Sequence, residues 1–265
     1  MAAAETILDV KDLRVRFRTL DGAVEAVKGI NINVKAGETV AVVGESGSGK
    51  SQTMMAAMSL LASNGEATGA VDYRGRNLLT MSKSELNKVR GRKISMIFQE
   101  PMTSLDPLYS IGNQLIEPIR RHRGLGVAEA REEALKLLRL VHIPDPERRM
   151  KSYPHEMSGG QRQCVAIART ATFASKLIIM DEPTAALGVQ ETAQVENIIR
   201  TLKENGEPLI LISHNMRQVF DLVDRIVVFR RGKIVANLRK QDTDGNDIVA
   251  YITGAKTGQA ELQAA

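Results

Sequence analysis

Short apolar runs at residues 40–43, 94–98, 177–180 and 209–212 read as buried strands, each closed by a glycine or a polar residue. Residues 7–19 alternate instead, with Leu13, Val15 and Phe17 in phase, as a half-buried strand does. A turn at Asp21-Gly22 leads to a second strand over 26–34, so an antiparallel pair precedes the run at 40–43. Residues 65–79 carry a strand-turn-strand signal around Tyr73-Arg74-Gly75, and residues 225–235 a closing hairpin around Arg231-Gly232. Helix signals occupy 52–61 and resume at Ser82. They dominate 100–157, where 111–123 and 127–141 are helical in composition between punctuating prolines. A further helix follows Ser158, and a short one is expected at 247–252 in a polar tail beyond Asp242. The pattern describes an α/β fold carrying an all-helical insertion.

Composition narrows this picture. The 265 residues suffice for one large core or one domain with a sizeable insertion, and 43% apolar with 25% charged content is that of a soluble globular protein. The net charge of +5 is interspersed, which suits a phosphate-binding or membrane-proximal protein without demanding nucleic acid. Aromatic content of 3% and the lack of Trp argue against a base-stacking surface. The apolar runs are too short to span a bilayer, and the N-terminus lacks the basic and apolar regions of a signal peptide. A lone Cys164 fits a reducing cytosol, so any membrane role is expected to come through a partner.

The chemistry concentrates after the apolar runs. Gly44-Glu45-Ser46-Gly47-Ser48-Gly49-Lys50-Ser51 has the spacing G-x-x-x-x-G-K-S between a strand and a helix that opens at Gln52. The glycines allow backbone amides to converge on an anion, Lys50 is placed for the β- and γ-phosphates, and Ser51 for Mg²⁺. Gln99 closes one run, where a polar residue at a sheet edge can reach a ligand and its metal; alone it is more often a surface amide. Ser158-Gly159-Gly160-Gln161 exposes a second helix start, capped by Ser158, as another anion site. Two such sites in one chain make sense if two copies pack head to tail, each closing the other's nucleotide. Asp181-Glu182 at a strand tip is costly unless metal or hydrogen bonds satisfy it, so Asp181 is assigned to Mg²⁺ and Glu182 to polarising the attacking water. His214 ends another run and can contact the γ-phosphate. Phe17 is either an adenine-stacking ring or a core aromatic. Basic stretches at 120–123 and 147–151 read as solvated faces or partner contacts.

Taken together, these residues resemble an ATP-binding cassette (ABC) protein, the nucleotide-binding subunit of an ABC transporter. Walker A at 44–51, the Gln99 loop, the signature at 158–161, Walker B at 177–182 and the His214 switch occur in the family's order. The resemblance implies a P-loop NTPase cassette with a mainly parallel core sheet, an antiparallel β-subdomain and an inserted helical subdomain. On that pattern residues 1–98 and 158–240 form the nucleotide-binding core, 99–157 the helical subdomain and 241–265 a C-terminal tail. It implies ATP and Mg²⁺ as cofactors, and a second cassette subunit and integral membrane permease subunits as partners. It further implies an extracytoplasmic solute-binding protein acting indirectly, no nucleic acid, and a place at the cytoplasmic face of the plasma membrane.

The halves resemble different branches. Residues 44–50, 98–107 and 153–156 look like oligopeptide and dipeptide importers, whereas 164–169, 181–189, 212–215 and 252–255 look like monosaccharide importers. A chimera joined near Ser158 is one expectation; uneven drift within one lineage is the other. Peptide importers usually carry Asp where this chain has Gly188. The peptide-like helical insertion favours a peptide importer; a monosaccharide importer or a soluble ABC ATPase are the alternatives.

Overall fold

A computed structural model describes residues 5–98, 105–171, 176–185 and 187–257. The chain forms two compact units, residues 1–87 with 206–265 and residues 88–205.

In the first unit, β1 (Thr6–Thr19) and β2 (Gly22–Lys35) make the expected antiparallel pair, with the second strand starting directly at the turn. The alternation along β1 changes phase: Leu8 and Val10 are buried, then Leu13 and Val15. A bulge at Lys11-Asp12 causes the change, since the register shifts between Val10↔Ile32 and Leu13↔Ile30. Asp12 sits at φ +42 and donates its amide to Asn31 Oδ1 at 2.9 Å. Opposite it, Gly69 has φ +100, and a Cβ there would stand 2.3 Å from the Asp12 carbonyl oxygen.

β3 (Thr39–Gly44) is buried along its whole length. It runs into α1 (Lys50–Ala57), which is shorter than its apolar pattern predicts. Ser59 adopts φ +50, its amide bonds Ala56 O and that of Leu60 bonds Met55 O, the closing pattern that stops a helix whatever hydrophobic residues follow. β4 (Gly65–Tyr73) pairs with β1 and turns through Arg74 and Gly75, both at positive φ, into the two-residue β5 (Arg76–Asn77). The helix signal at Ser82 is α2 (Lys83–Val89), begun by reciprocal bonds between Ser82 and Glu85.

Farther along the same unit, β8 (Leu209–Ile212) and β9 (Arg225–Arg230) flank β3 in parallel, and β10 (Lys233–Arg239) returns antiparallel on β9. α8 (Met216–Leu222) connects β8 to β9, and α9 (Gly245–Thr253) covers the tail, capped by the Asp244 carboxylate at the Asp247 amide. A buried cluster ties this sheet to β2. Arg225 donates to both carboxylate oxygens of Glu38, at 2.6 and 3.0 Å, to Asn33 O at 2.6 Å and to Asn237 Oδ1 at 2.9 Å.

The second unit holds β6 (Ile94–Ile97) parallel to β7 (Leu177–Asp181). Between them lie α3 (Ile111–Arg123), α4 (Val127–Leu140), the short α5 (Pro146–Arg149) and α6 (Gly159–Ala171); α7 (Val189–Glu204) follows. Gly124 closes α3 at φ +70, and the Glu129 carboxylate accepts the Gly126 amide at the start of α4. Ala130, Ala134 and Leu138 are fully buried along one face of α4.

Replacing Arg225 by Met leaves the Glu38 carboxylate without its bidentate partner. The expected loss of stability is about 3 kcal/mol, read as a lowered urea midpoint, because stranding one member of a buried pair exposes its full desolvation cost.

Candidate active site

The 44–51 loop leaves β3 and is shaped by close neighbours. A Cβ on Gly44 (φ +149) would lie 2.3 Å from Phe229 O, and one on Gly49 (φ +103) would lie 2.6 Å from Ala26 O. Beside Gly47 (φ +75) the space is open, and Glu45, Ser46 and Gly47 are exposed. Gly232, at the β9–β10 turn, donates its amide to Ser48 O at 3.0 Å. Lys50 is 8% exposed and donates to Gly44 O and Glu45 O, both at 2.8 Å, so its ammonium is held at the loop. Ser51 and Gln52 follow on the first turn of α1, half-buried. That turn carries no acidic residue, Gly49 supplies no capping side chain, and buried Ser48 Oγ has no hydrogen-bond partner among the described residues. The positive end of α1 is therefore uncompensated, which fits a polyphosphate.

Val42 pairs with Ile212, so the loop and His214 follow the same edge of neighbouring parallel strands, the edge where α/β sheets bind ligands. His214 is exposed, and its turn is tied down: Ser213 Oγ donates to Gln218 Oε1 at 3.0 Å, and Asn215 Oδ1 accepts the Gln218 amide at 3.2 Å. Phe17 is half-buried on β1 with its ring over Gly65, where a Cβ would meet Phe17 Cε1 at 2.6 Å.

In the second unit, β7 ends at Asp181, 4% exposed. Glu182 follows at φ +49, a left-handed conformation that costs a non-glycine residue about 1–2 kcal/mol and concentrates at working sites. Gln99 lies outside the described residues. The signature turn is closed on itself: Ser158 Oγ accepts the Gln161 amide and Gln161 Oε1 accepts the Ser158 amide, both at 3.2 Å. Arg162 anchors it from behind, donating to Pro154 O at 3.2 Å and Met157 O at 2.8 Å. Cys164, one turn on, is buried, and its thiol is pushed up to about 11 by that burial and then by the charge of Glu191. It stays protonated at neutral pH and is a packing residue. No local signal marks Glu191 or Arg162 for the signature turn: the spacing from Gly188 to Glu191 bears on the start of α7 alone.

No group of three or more His, Cys, Asp or Glu among the described residues is arranged to hold a metal ion. The Ser51 hydroxyl and the Asp181 carboxylate, each in its own unit, are oxygen donors of the hard type that Mg²⁺ takes.

Comparison with known proteins places this chemistry. The family model described as ABC transporter matches residues 27–185. The oligopeptide transport ATP-binding protein OppD of Escherichia coli (strain K12) is 44% identical over 262 residues, 98% of this chain and 78% of the relative. A probable peptide ABC transporter ATP-binding protein of Sinorhizobium fredii is 44% identical over 88% of this chain and 70% of the relative. Among solved structures, a dimeric ATP-binding cassette bound to ADP and Pi aligns with a TM-score of 0.79 at 27% identity, covering 88% of this chain and 98% of that one. The chain belongs to the ABC transporter family, with that family's P-loop cassette fold, and is an ATP-binding ATPase subunit. The E. coli relative runs through Ser158 and spans both halves, so the comparisons lend no support to a chimera or to a monosaccharide branch.

Lys50→Ala removes the ammonium that the Gly44 and Glu45 carbonyls hold at the loop. ATP affinity measured by titration calorimetry should fall about a hundredfold, since a hydrogen bond to a charged group contributes about 1.5–3 kcal/mol; unchanged affinity would count against the cradle.

Proposed function

We propose that the protein hydrolyses ATP to energise peptide uptake, as the cytoplasmic-face subunit of an importer whose membrane-spanning parts are other chains. The observation that carries this reading is the 44% identity to an oligopeptide transport ATP-binding protein over 98% of the chain. The geometry of the 44–51 loop supports it, and no helix among the described residues is long and apolar enough to cross a membrane.

Lys50 and the loop amides bind the phosphates, with Phe17 set toward the adenine. Ser51, Asp181 and Gln99 hold Mg²⁺, which when bound neutralises charge on the phosphate oxygens. Glu182 accepts hydrogen-bonding from the attacking water and draws off its proton, and His214 contacts the γ-phosphate. Two chains, identical or paired, close head to tail, with Ser158, Gly159, Gly160 and Gln161 of one facing the nucleotide of the other. The helical stretch carries the face for the permease. Leu108 and Tyr109 are 80% and 55% exposed there, and a cavity of about 360 Å³ lined by Asp106, Asn113, Glu117 and Arg121 opens on it.

Glu182→Gln should keep ATP binding, drop turnover to background and trap an ATP-bound dimer on size-exclusion chromatography; parental turnover would remove Glu182 as general base. In the parental protein the rate per molecule should rise with concentration. With the permease reconstituted in vesicles beside its solute-binding protein, an oligopeptide should stimulate turnover and a monosaccharide should not.

A further inference from the structure

Two glycines, Gly160 of the signature turn and Gly188 at the start of α7, have backbones that any residue could adopt. Gly188 has φ −69 and ψ 172, and Gly160 is not among the positive-φ residues. A single residue stands where both side chains would begin. A Cβ on Gly160 would lie 2.2 Å from Glu191 Cγ, 2.8 Å from its Cβ and 2.9 Å from its Cδ. A Cβ on Gly188 would lie 2.6 Å from Glu191 Oε2. The stem of Glu191 thus fills the side-chain space of the buried glycine, and its head fills that of the exposed one.

We infer that Glu191 is a positioning residue: its side chain clamps the signature turn to the start of α7 and so fixes the Gly159 and Gly160 amides for the nucleotide of a second copy. The last clause rests on the head-to-tail reading above; the clamp itself does not. Of the stem atoms against Gly160, Cβ moves only with the α7 backbone and Cγ only by a change of rotamer, so the contact transmits position. A carboxylate in the first turn of α7 would also favour that helix through its dipole, but this needs only charge near the helix start. The clamp needs the carbon stem.

The two roles separate by substitution in the full chain. Glu191→Gln keeps length and loses charge; Glu191→Asp keeps charge and loses a methylene; Glu191→Ala loses both. Hydrogen exchange at Gly159 and Gly160 without nucleotide, together with ATP affinity and kcat, reads them out. The clamp predicts exchange about tenfold faster in the Ala variant, with Gln near the parent and Asp, which keeps Cβ and Cγ, between them. It also predicts kcat lowered about ten- to a hundredfold in the Ala variant with ATP affinity unchanged, as small misplacements in a closing site do. Fast exchange in Gln with parental exchange in Asp would overturn the clamp in favour of helix charge. Fast exchange in Ala with parental kcat would overturn the positioning role, and lowered kcat without altered exchange would overturn the clamp. If exchange behaves as stated while the parental protein binds ATP but neither dimerises nor turns over, the clamp stands and the head-to-tail reading falls.

Discussion

A loop that surrounds a polyphosphate with backbone amides has few side chains with which to hold its own shape. Here the shape is imposed from outside. Gly44 is pressed against the Phe229 carbonyl, Gly49 against that of Ala26, and the Gly232 amide bonds Ser48. β2, β9 and the β9–β10 turn therefore act as the mould of the loop, and the Arg225–Glu38–Asn33 cluster holds β9 to β2. The mould must be stiff because each contact involves backbone, which yields only by moving a strand. Lys50 completes it from inside by gathering the Gly44 and Glu45 carbonyls.

The two glycine-marked helix starts are built to different electrostatic designs. That of α1 has neither cap nor acidic residue, so its dipole and Lys50 act on whatever anion enters. That of α6 is already closed by the Ser158–Gln161 exchange and lies against Glu191. The first leaves its amides open to an incoming anion; the second already spends side-chain bonds on its own turn.

The divided resemblance of the two halves has a physical explanation. On the proposed function, residues 181–189 serve phosphate and water chemistry, which is the same whatever solute is moved, so likeness there says little about the solute. Identity over nearly the whole chain samples packing surfaces as well, and it runs with peptide-transport relatives on both sides of Ser158. Gly188, which departs from the peptide-importer pattern, is exposed with extended backbone, and the Glu191 carboxylate lies beside it.

By itself the sequence determined the strands whose neighbours are all apolar, the loop at 44–51, the Ser158 cap and the bounds of the helix at 111–123. Each depends on residues within a few positions of one another: a run, a spacing, a cap. Only the tertiary structure decided the phase change in β1, the early stop of α1 at Ser59, the left-handed Glu182 and the contact of Glu191 with Gly160. Those follow from atoms brought together across the fold. A bulge answers to the strand beside it, and a glycine can be required by a side chain thirty-one residues away, as Gly160 is by Glu191, which no local pattern records.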